Sequence, residues 1–209
     1  MDIQFYGANC VSFNFKSTRI VVDDNLQSLG KKSVLKNEDV ALFTAEADEK
    51  TPLKARLVLD VPGEYEVADI SIIGIPARSH TDEAGMHNTT MYKITANDVS
   101  ILVTGHISSE LSESQLESIG MVDVLIIPVG GHGYTLDPQG ALNVIKEIEP
   151  KLVIPTNYDA SGIKYPVPQL ALSEALKELG MEPKETVSKL KLRSADLSDV
   201  TQLVVLELS

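Results

Sequence analysis

The sequence predicts an α/β protein folded as one domain over residues 1–209, a four-layer αββα sandwich. Three observations predict it. The first half is a succession of short strand-like segments, and the second half alternates strand with helix. No Pro-, Ser- or Gly-rich linker and no repeat of about 20 to 50 residues divides the chain.

The strand reading comes first. DIQFY, CVSFNF and TRIVVDD are short, β-branched or aromatic and partly alternating, and Gly7, Asn9 and the Lys16–Ser17 pair break them apart. VALFT, ARLVLDV, ADISIIGIPA, TTMYKIT and VSILVTG continue the pattern. Further on, Ser112 with Gln115 forms a capping box for a helix ending near Gly120, and VDVLIIPV reads as a buried strand. Asp137 before Pro138 is an N-cap with proline in the first helical position. Ala141, Leu142, Val144, Ile145 and Ile148 then share one helical face. KLVIPTNY is the next strand. A second amphipathic helix, with Leu170, Leu172, Ala175, Leu176 and Leu179 inward, stops at Gly180, and TQLVVLEL closes the chain as a strand. Two sheets packed face to face, with helices outside, satisfy this order.

Composition bounds the function. Apolar residues make up 43% and charged residues 23% of 209 residues, the balance of a globular domain. Eighteen Lys and Arg against 30 Asp and Glu give a net charge of −12, which opposes phosphate-neutralising contact, so nucleic acid is not an expected partner. No apolar run reaches the roughly 18 residues that cross a bilayer, so no membrane partner is expected. MDIQFYGANC lacks the basic start and apolar stretch of a secretory leader, and the expected location is cytoplasmic. The lone Cys10 sits among small and apolar residues and is expected to be a buried structural thiol.

Polar residues just past buried strands are the candidates for chemistry, because the strand fixes them while the loop exposes them. Asp23 and Asp24 follow TRIVV, AEADEK follows VALF with Thr44, and Arg78 to His80 follow IIGIPA. His106 follows VSILVTG, Asn157 to Asp159 follow KLVIP, and GGHGYT places His132 in a glycine-rich turn. For any one histidine, a plain loop position is the simpler explanation.

Taken in order, four segments resemble the metallo-β-lactamase-fold hydrolases, and within them the compact branch of ascorbate-6-phosphate lactonase-like proteins. They are GANCVSFNFKSTRIVVDD, VPGEYEVADISIIGIPARSH, VDVLIIPVGGHGYTLDPQGAL and IEPKLVIPTNYD. The resemblance implies a sandwich of the metallo-β-lactamase type. It also implies a Thr-His-x-His-x-Asp-His loop whose ligands, with others, hold two zinc ions around an activated water.

Matched from Thr44, that motif falls on Ala45, Ala47, Glu49 and Lys50, two methyl groups and an ammonium where imidazoles are needed. The third-motif histidine matches His80. The bridging aspartate matches His106, and the closing histidine matches Asn157. Asp23 or Asp24 matches the opening aspartate, whose role in the family is to support the ligand loop by hydrogen bonds.

The expected function is therefore a non-catalytic binding or regulatory protein on a hydrolase scaffold, with no metal and no cofactor, its vestigial cleft formed by Asp23, Asp24, Ala45, Ala47, Glu49, Lys50, His80, His106, His132 and Asn157. The alternative is a hydrolase with one zinc or other divalent ion on His80, His106 and His132, with Glu46, Asp48 or Glu49 as other third ligands and Tyr134 or Asn157 positioning substrate. Metal-free acid–base work by His106 or His132 with Asp23 is a third reading. The partner expected is a small molecule or a protein. A homo-oligomer is open; the Met86–His87 stretch is a candidate for a subunit contact, with a plain hairpin turn the simpler reading.

Overall fold

The computed structural model describes residues 1–47, 51, 54–83 and 85–209. Two sheets face each other. The first holds β1 (Asp2–Gly7), β2 (Cys10–Asn14), β3 (Arg19–Val22), β4 (Val40–Leu42), β5 (Leu57–Leu59) and the short β13 (Leu190–Lys191), in the order β13-β1-β2-β3-β4-β5. Strands β1 to β3 form an antiparallel meander, and β3, β4 and β5 run parallel.

The second sheet holds β6 (Gly63–Val67), β7 (Ile70–Ala77), β8 (Thr89–Ala96), β9 (Val99–Val103), β10 (Val124–Pro128), β11 (Leu152–Thr156), β12 (Pro183–Val187) and β14 (Gln202–Leu206). Its order is β12-β14-β11-β10-β9-β8-β7-β6. It is antiparallel from β6 to β9 and parallel from β9 through β10 and β11 to β14.

The core follows from alternation. In the first sheet Ile3, Phe5, Val11, Phe13, Ile20, Val22, Val40 and Leu42 join the main cluster between the sheets. Their neighbours Cys10, Val21 and Ala41 point the other way, into a second cluster with Leu26, Leu35 and Phe43. Cys10 is fully buried there, as expected of a structural thiol.

Among the described residues, three α-helices lie over the second sheet. α1 (Glu113–Ile119) carries the anticipated capping box of Ser112 and Gln115 and packs on β7. α2 (Pro138–Ile148) begins with Asp137 accepting from the Gly140 N–H and buries Ala141, Val144 and Ile145 against β10. α3 (Leu172–Leu179) ends on Gly180 in the left-handed conformation and packs on α2. Leu170, expected in this helix, lies before it. Its N–H donates to Gly130 and its carbonyl accepts from Asp159, so its backbone is engaged in an extended bridge two residues after Pro168.

On the outer side of the first sheet the described cover is loop. The described parts of the connections β3–β4 and β4–β5 are turn and coil, and Leu26, Leu35 and Ala47 from them cover the second cluster. Pro-free but Lys- and Ser-rich, residues 27–38 lack an apolar stripe of helical period, so burial is met by single leucines instead.

Candidate functional site

Parallel strands deliver their C-terminal ends to one edge. β9, β10 and β11 exit there at Gly105–His106, Gly130–Thr135 and Asn157, and β3 and β4 of the other sheet exit at Asp23 and Thr44. Hydrogen bonds stitch the two sets together. The Thr44 carbonyl accepts from the Thr90 N–H and the Thr89 hydroxyl, and the Asn157 N–H donates to the Ala8 carbonyl at 2.8 Å. Between them lies a cleft of about 530 Å³, lined by residues that include Asn9, Asp23, Ala45, His106, Tyr134 and Asn157.

Asp23 lies on the cleft side. It is buried with a left-handed backbone, φ 50°. Its carboxylate accepts from the Thr44 N–H and hydroxyl, each at 2.7 Å, and so holds the first residue of the loop that matches the zinc motif. Burial raises its pKa to about 6, while the two Thr44 bonds act in the opposite direction without cancelling it. Asp24 faces away. One of its oxygens accepts from the Ser33 hydroxyl and the Val34 and Leu35 N–H groups at 2.7 to 2.9 Å, which pins the β3–β4 connection.

Ala45 lines the cleft, but Ala47 packs into the second apolar cluster. Glu49 and Lys50, and with them Asp48, lie outside the described residues.

His106 lines the cleft beside Tyr134, the two rings 4.9 Å apart at 64°. Burial chiefly, with the neighbouring His80, lowers its pKa, a hydrogen bond to the Tyr134 backbone acts the other way, and the net value is about 4. The imidazole is therefore neutral near pH 7, and its Nδ1 has no partner among the described residues. Gly105 before it has φ 63°, and a Cβ there would collide with the Thr44 side chain, which is why this approach takes glycine.

His80 donates its backbone N–H to the His106 carbonyl at 2.9 Å but is not among the residues lining the cleft. His132, at φ 56° between two glycines, is exposed and also outside the lining. Among the described residues no three of His, Cys, Asp and Glu come together as a ligand set, so His80, His106 and His132 are not assembled into one. Three residues of the cleft, Ala45, His106 and Asn157, stand where the resemblance calls for a ligand imidazole, a bridging carboxylate and a second imidazole. The described donors do not fit a dinuclear centre.

Several lining residues carried no signal in the sequence. Asn9 is 4% exposed and accepts from the Thr156 hydroxyl at 3.0 Å, a partner 147 positions away. Residues 160–166 form a strap that supplies Lys164, Tyr165 and Pro166 to the cleft. The Lys164 N–H donates to Leu29 at 2.9 Å, and Ile163 packs so closely on Gly7 that a Cβ there would lie 2.5 Å from its Cδ1. The Tyr165 hydroxyl donates to the Tyr158 carbonyl at 2.7 Å.

A two-sheet sandwich with its loops gathered at one edge defines a metallo-β-lactamase-type fold. Residues 2–157 match the family described as beta-lactamase superfamily domain, and the chain belongs to that family. Among curated proteins it is 28% identical over 102 residues to a metal-dependent hydrolase of Thermococcus onnurineus, covering 46% of this chain and 44% of that protein. It is 40% identical over 47 residues to a metal-dependent hydrolase of Thermoplasma acidophilum, covering 21% of this chain and 20% of that protein. The matched segments thus span less than half of these curated relatives.

Among solved structures, one from Thermotoga maritima superposes with a TM-score of 0.75 at 24% identity over 99% of both chains; it is provisionally described as a Zn-dependent hydrolase of the metallo-β-lactamase superfamily. The metallo hydrolase Igni18 of Ignicoccus hospitalis has a TM-score of 0.65 at 16% identity, covering 100% of this chain and 95% of that one. At these identities the superpositions establish the fold. No described helix is long and apolar enough to cross a membrane.

Proposed function

We propose that this chain is a member of a metal-dependent hydrolase family that has given up the dinuclear metal site and acts in the cytoplasm as a binding or regulatory protein. Its partner is a small molecule, or a protein that reads the occupied cleft. The observation that carries the reading is the lining of the cleft. Ala45, His106 and Asn157 stand at positions where the resemblance expects an imidazole, a bridging carboxylate and a second imidazole, while the cleft itself is kept. An imidazole cannot bridge two cations as a carboxylate does, and the Asn157 amide spends its N–H on Gln169.

Metal content of the purified full chain, before and after exposure to excess zinc or manganese, tests this together with lactone and phosphodiester hydrolysis. Metal-free protein that cannot be loaded and does not hydrolyse is the expected result. Two tightly held equivalents with turnover refute it. The alternative, one ion on His80 and His106 with or without His132, predicts tight nitrogen coordination that His80→Ala removes.

A further inference from the structure

We infer that the outer rim of the cleft is a docking surface for an acidic segment of a partner protein, received by Lys31, Lys32 and Lys164, with Lys36 further along the same connection. The inference goes beyond the reading above, because it concerns surface outside the cleft and does not depend on whether the cleft holds metal.

The sequence keeps these lysines apart from the acids. Residues 25–37 carry Lys31, Lys32 and Lys36 and no Asp or Glu, and residues 160–173 carry Lys164 and no Asp or Glu, in a chain of net charge −12. Elsewhere cations have acidic company. Lys151 pairs with Asp123 at 3.0 Å, Arg78 with Glu110 at 3.3 Å and Arg193 with Asp196 at 2.8 Å, while Lys146 precedes Glu147 on α2 and Lys177 precedes Glu178 on α3. The four rim lysines make no ion pair among the described residues.

The fold brings the two segments together. The Lys164 N–H donates to the Leu29 carbonyl at 2.9 Å. The Lys164 stem crosses Gly30, where a Cβ would lie 3.2 Å from its Cδ, and Lys31 crosses back over Gly162, where a Cβ would lie 3.1 Å from its Nζ. Lys31 is half-buried, and Lys32, Lys36 and Lys164 are exposed. The acids bordering the connection are spent inside. Asp24 is 1% exposed and accepts from the Val34 and Leu35 N–H groups; Asp39 is 3% exposed and holds Arg19 at 2.6 Å and the Lys36 N–H at 2.8 Å. Like charges gathered with no acid between them repel, and an anion brought from outside relieves that repulsion.

The position of the lysines selects a chain over a small molecule. Of the four, Lys164 alone lines the cleft, and it shares the lining with Asp23 and Glu46. A small anion inside would therefore meet one lysine and two carboxyl groups, leaving Lys31, Lys32 and Lys36 to something that lies across the rim. An extended peptide advances about 3.3 Å per residue, so a short run of Asp or Glu reaches from one lysine to the next. The overall negative charge does not prevent this. At about 0.1 M salt the Debye length is about 10 Å, so a segment at the rim feels the local lysines and little of the acids on remote faces. A duplex or an anionic bilayer is broader than the patch and meets the surrounding acids as well.

Fluorescence anisotropy of the intact chain with a labelled oligoglutamate peptide tests the inference, with an oligolysine peptide and a serine–glycine peptide as controls. Oligoglutamate is expected to bind one to one at low salt, the controls not to bind at the rim, and the affinity to fall as NaCl is raised from about 50 to about 200 mM. Lys31→Gln, Lys32→Gln and Lys164→Gln should each weaken binding roughly twofold, and together by about tenfold. Lys146→Gln with Lys177→Gln, on the helices over the second sheet, should leave it unchanged. The urea midpoint of each variant verifies that it is folded.

No binding of oligoglutamate, or equal loss in the rim and helix variants, overturns the inference. Succinate bound as tightly as the peptide, and lost in the triple variant, gives the lysines to a small anion and overturns it too. So does binding to phosphatidylserine vesicles, lost in the same variant, in place of the peptide. Metal loading with turnover overturns the reading of the cleft and leaves the docking surface standing.

Discussion

Asp23→Asn isolates the electrostatics of the cleft. The wild-type carboxyl goes from an ordinary 3.8 to about 6 because burial disfavours its charge. A carboxyl whose pKa is raised on folding gives stability that is complete below 3.8 and is lost as pH rises through 6. The difference corresponds to about 3 kcal/mol at neutral pH. Asparagine keeps an oxygen for the Thr44 N–H, turns its amide toward the Thr44 hydroxyl, and tolerates the left-handed backbone at φ 50°.

Urea unfolding of both proteins across about pH 4 to pH 7 gives the stability of variant minus wild type, in which every other titrating group cancels. That difference should grow by about 3 kcal/mol as pH rises. A flat difference, or one that shrinks with pH because the Thr44 bonds outweigh burial, refutes the reasoning.

The remaining predictions use the same neighbourhood. His106 has the opposite sign, since a pKa lowered from 6.5 to about 4 gives stability that is present above 6.5 and lost as pH falls; His106→Asn should gain on the wild type by about 3 kcal/mol on acidification, read by the same unfolding series. Gly105→Ala should destabilise by about 2 kcal/mol or more, through the collision with Thr44 and the left-handed backbone, as a drop in the urea midpoint. Cys10 should resist a thiol reagent in native protein and react fully once unfolded, because burial raises its pKa and the nearby Asp24 and Asp23 reinforce this. Placing His at Ala45, Ala47, Lys50 and Asn157 with Asp at His106 should create zinc binding, measured as bound metal per chain after gel filtration; Ala47, packed in the second cluster, is the substitution that strains the fold.

Apolar rhythm made most strands legible, because half of each strand had to face the other sheet. β12 reads PKETV and is almost wholly exposed, so no alternation marked it, and its strand form comes from pairing with β14. The helix caps at Ser112 and Asp137 were local chemistry and therefore readable, whereas Leu170 fitted a helical stripe and was claimed by backbone hydrogen bonds with Gly130 and Asp159. In the cleft, Asp23, Ala45, His106 and Asn157 could be found because they end strands. His80 and His132 end strands too, but their side chains do not line the cavity. Asn9 and Lys164 were invisible because their roles depend on Thr156 and Leu29, partners far away along the chain.

The strap of residues 160–166 bears on how such a scaffold diversifies. It lends three residues to the cavity, and it leans on the opposite layer through Ile163 over Gly7 and the hydrogen bond from the Lys164 N–H to the Leu29 carbonyl. Grafted sequences at Lys164 to Pro166 would therefore reshape the cavity while sparing both cores, which makes this segment a natural place to vary the chain.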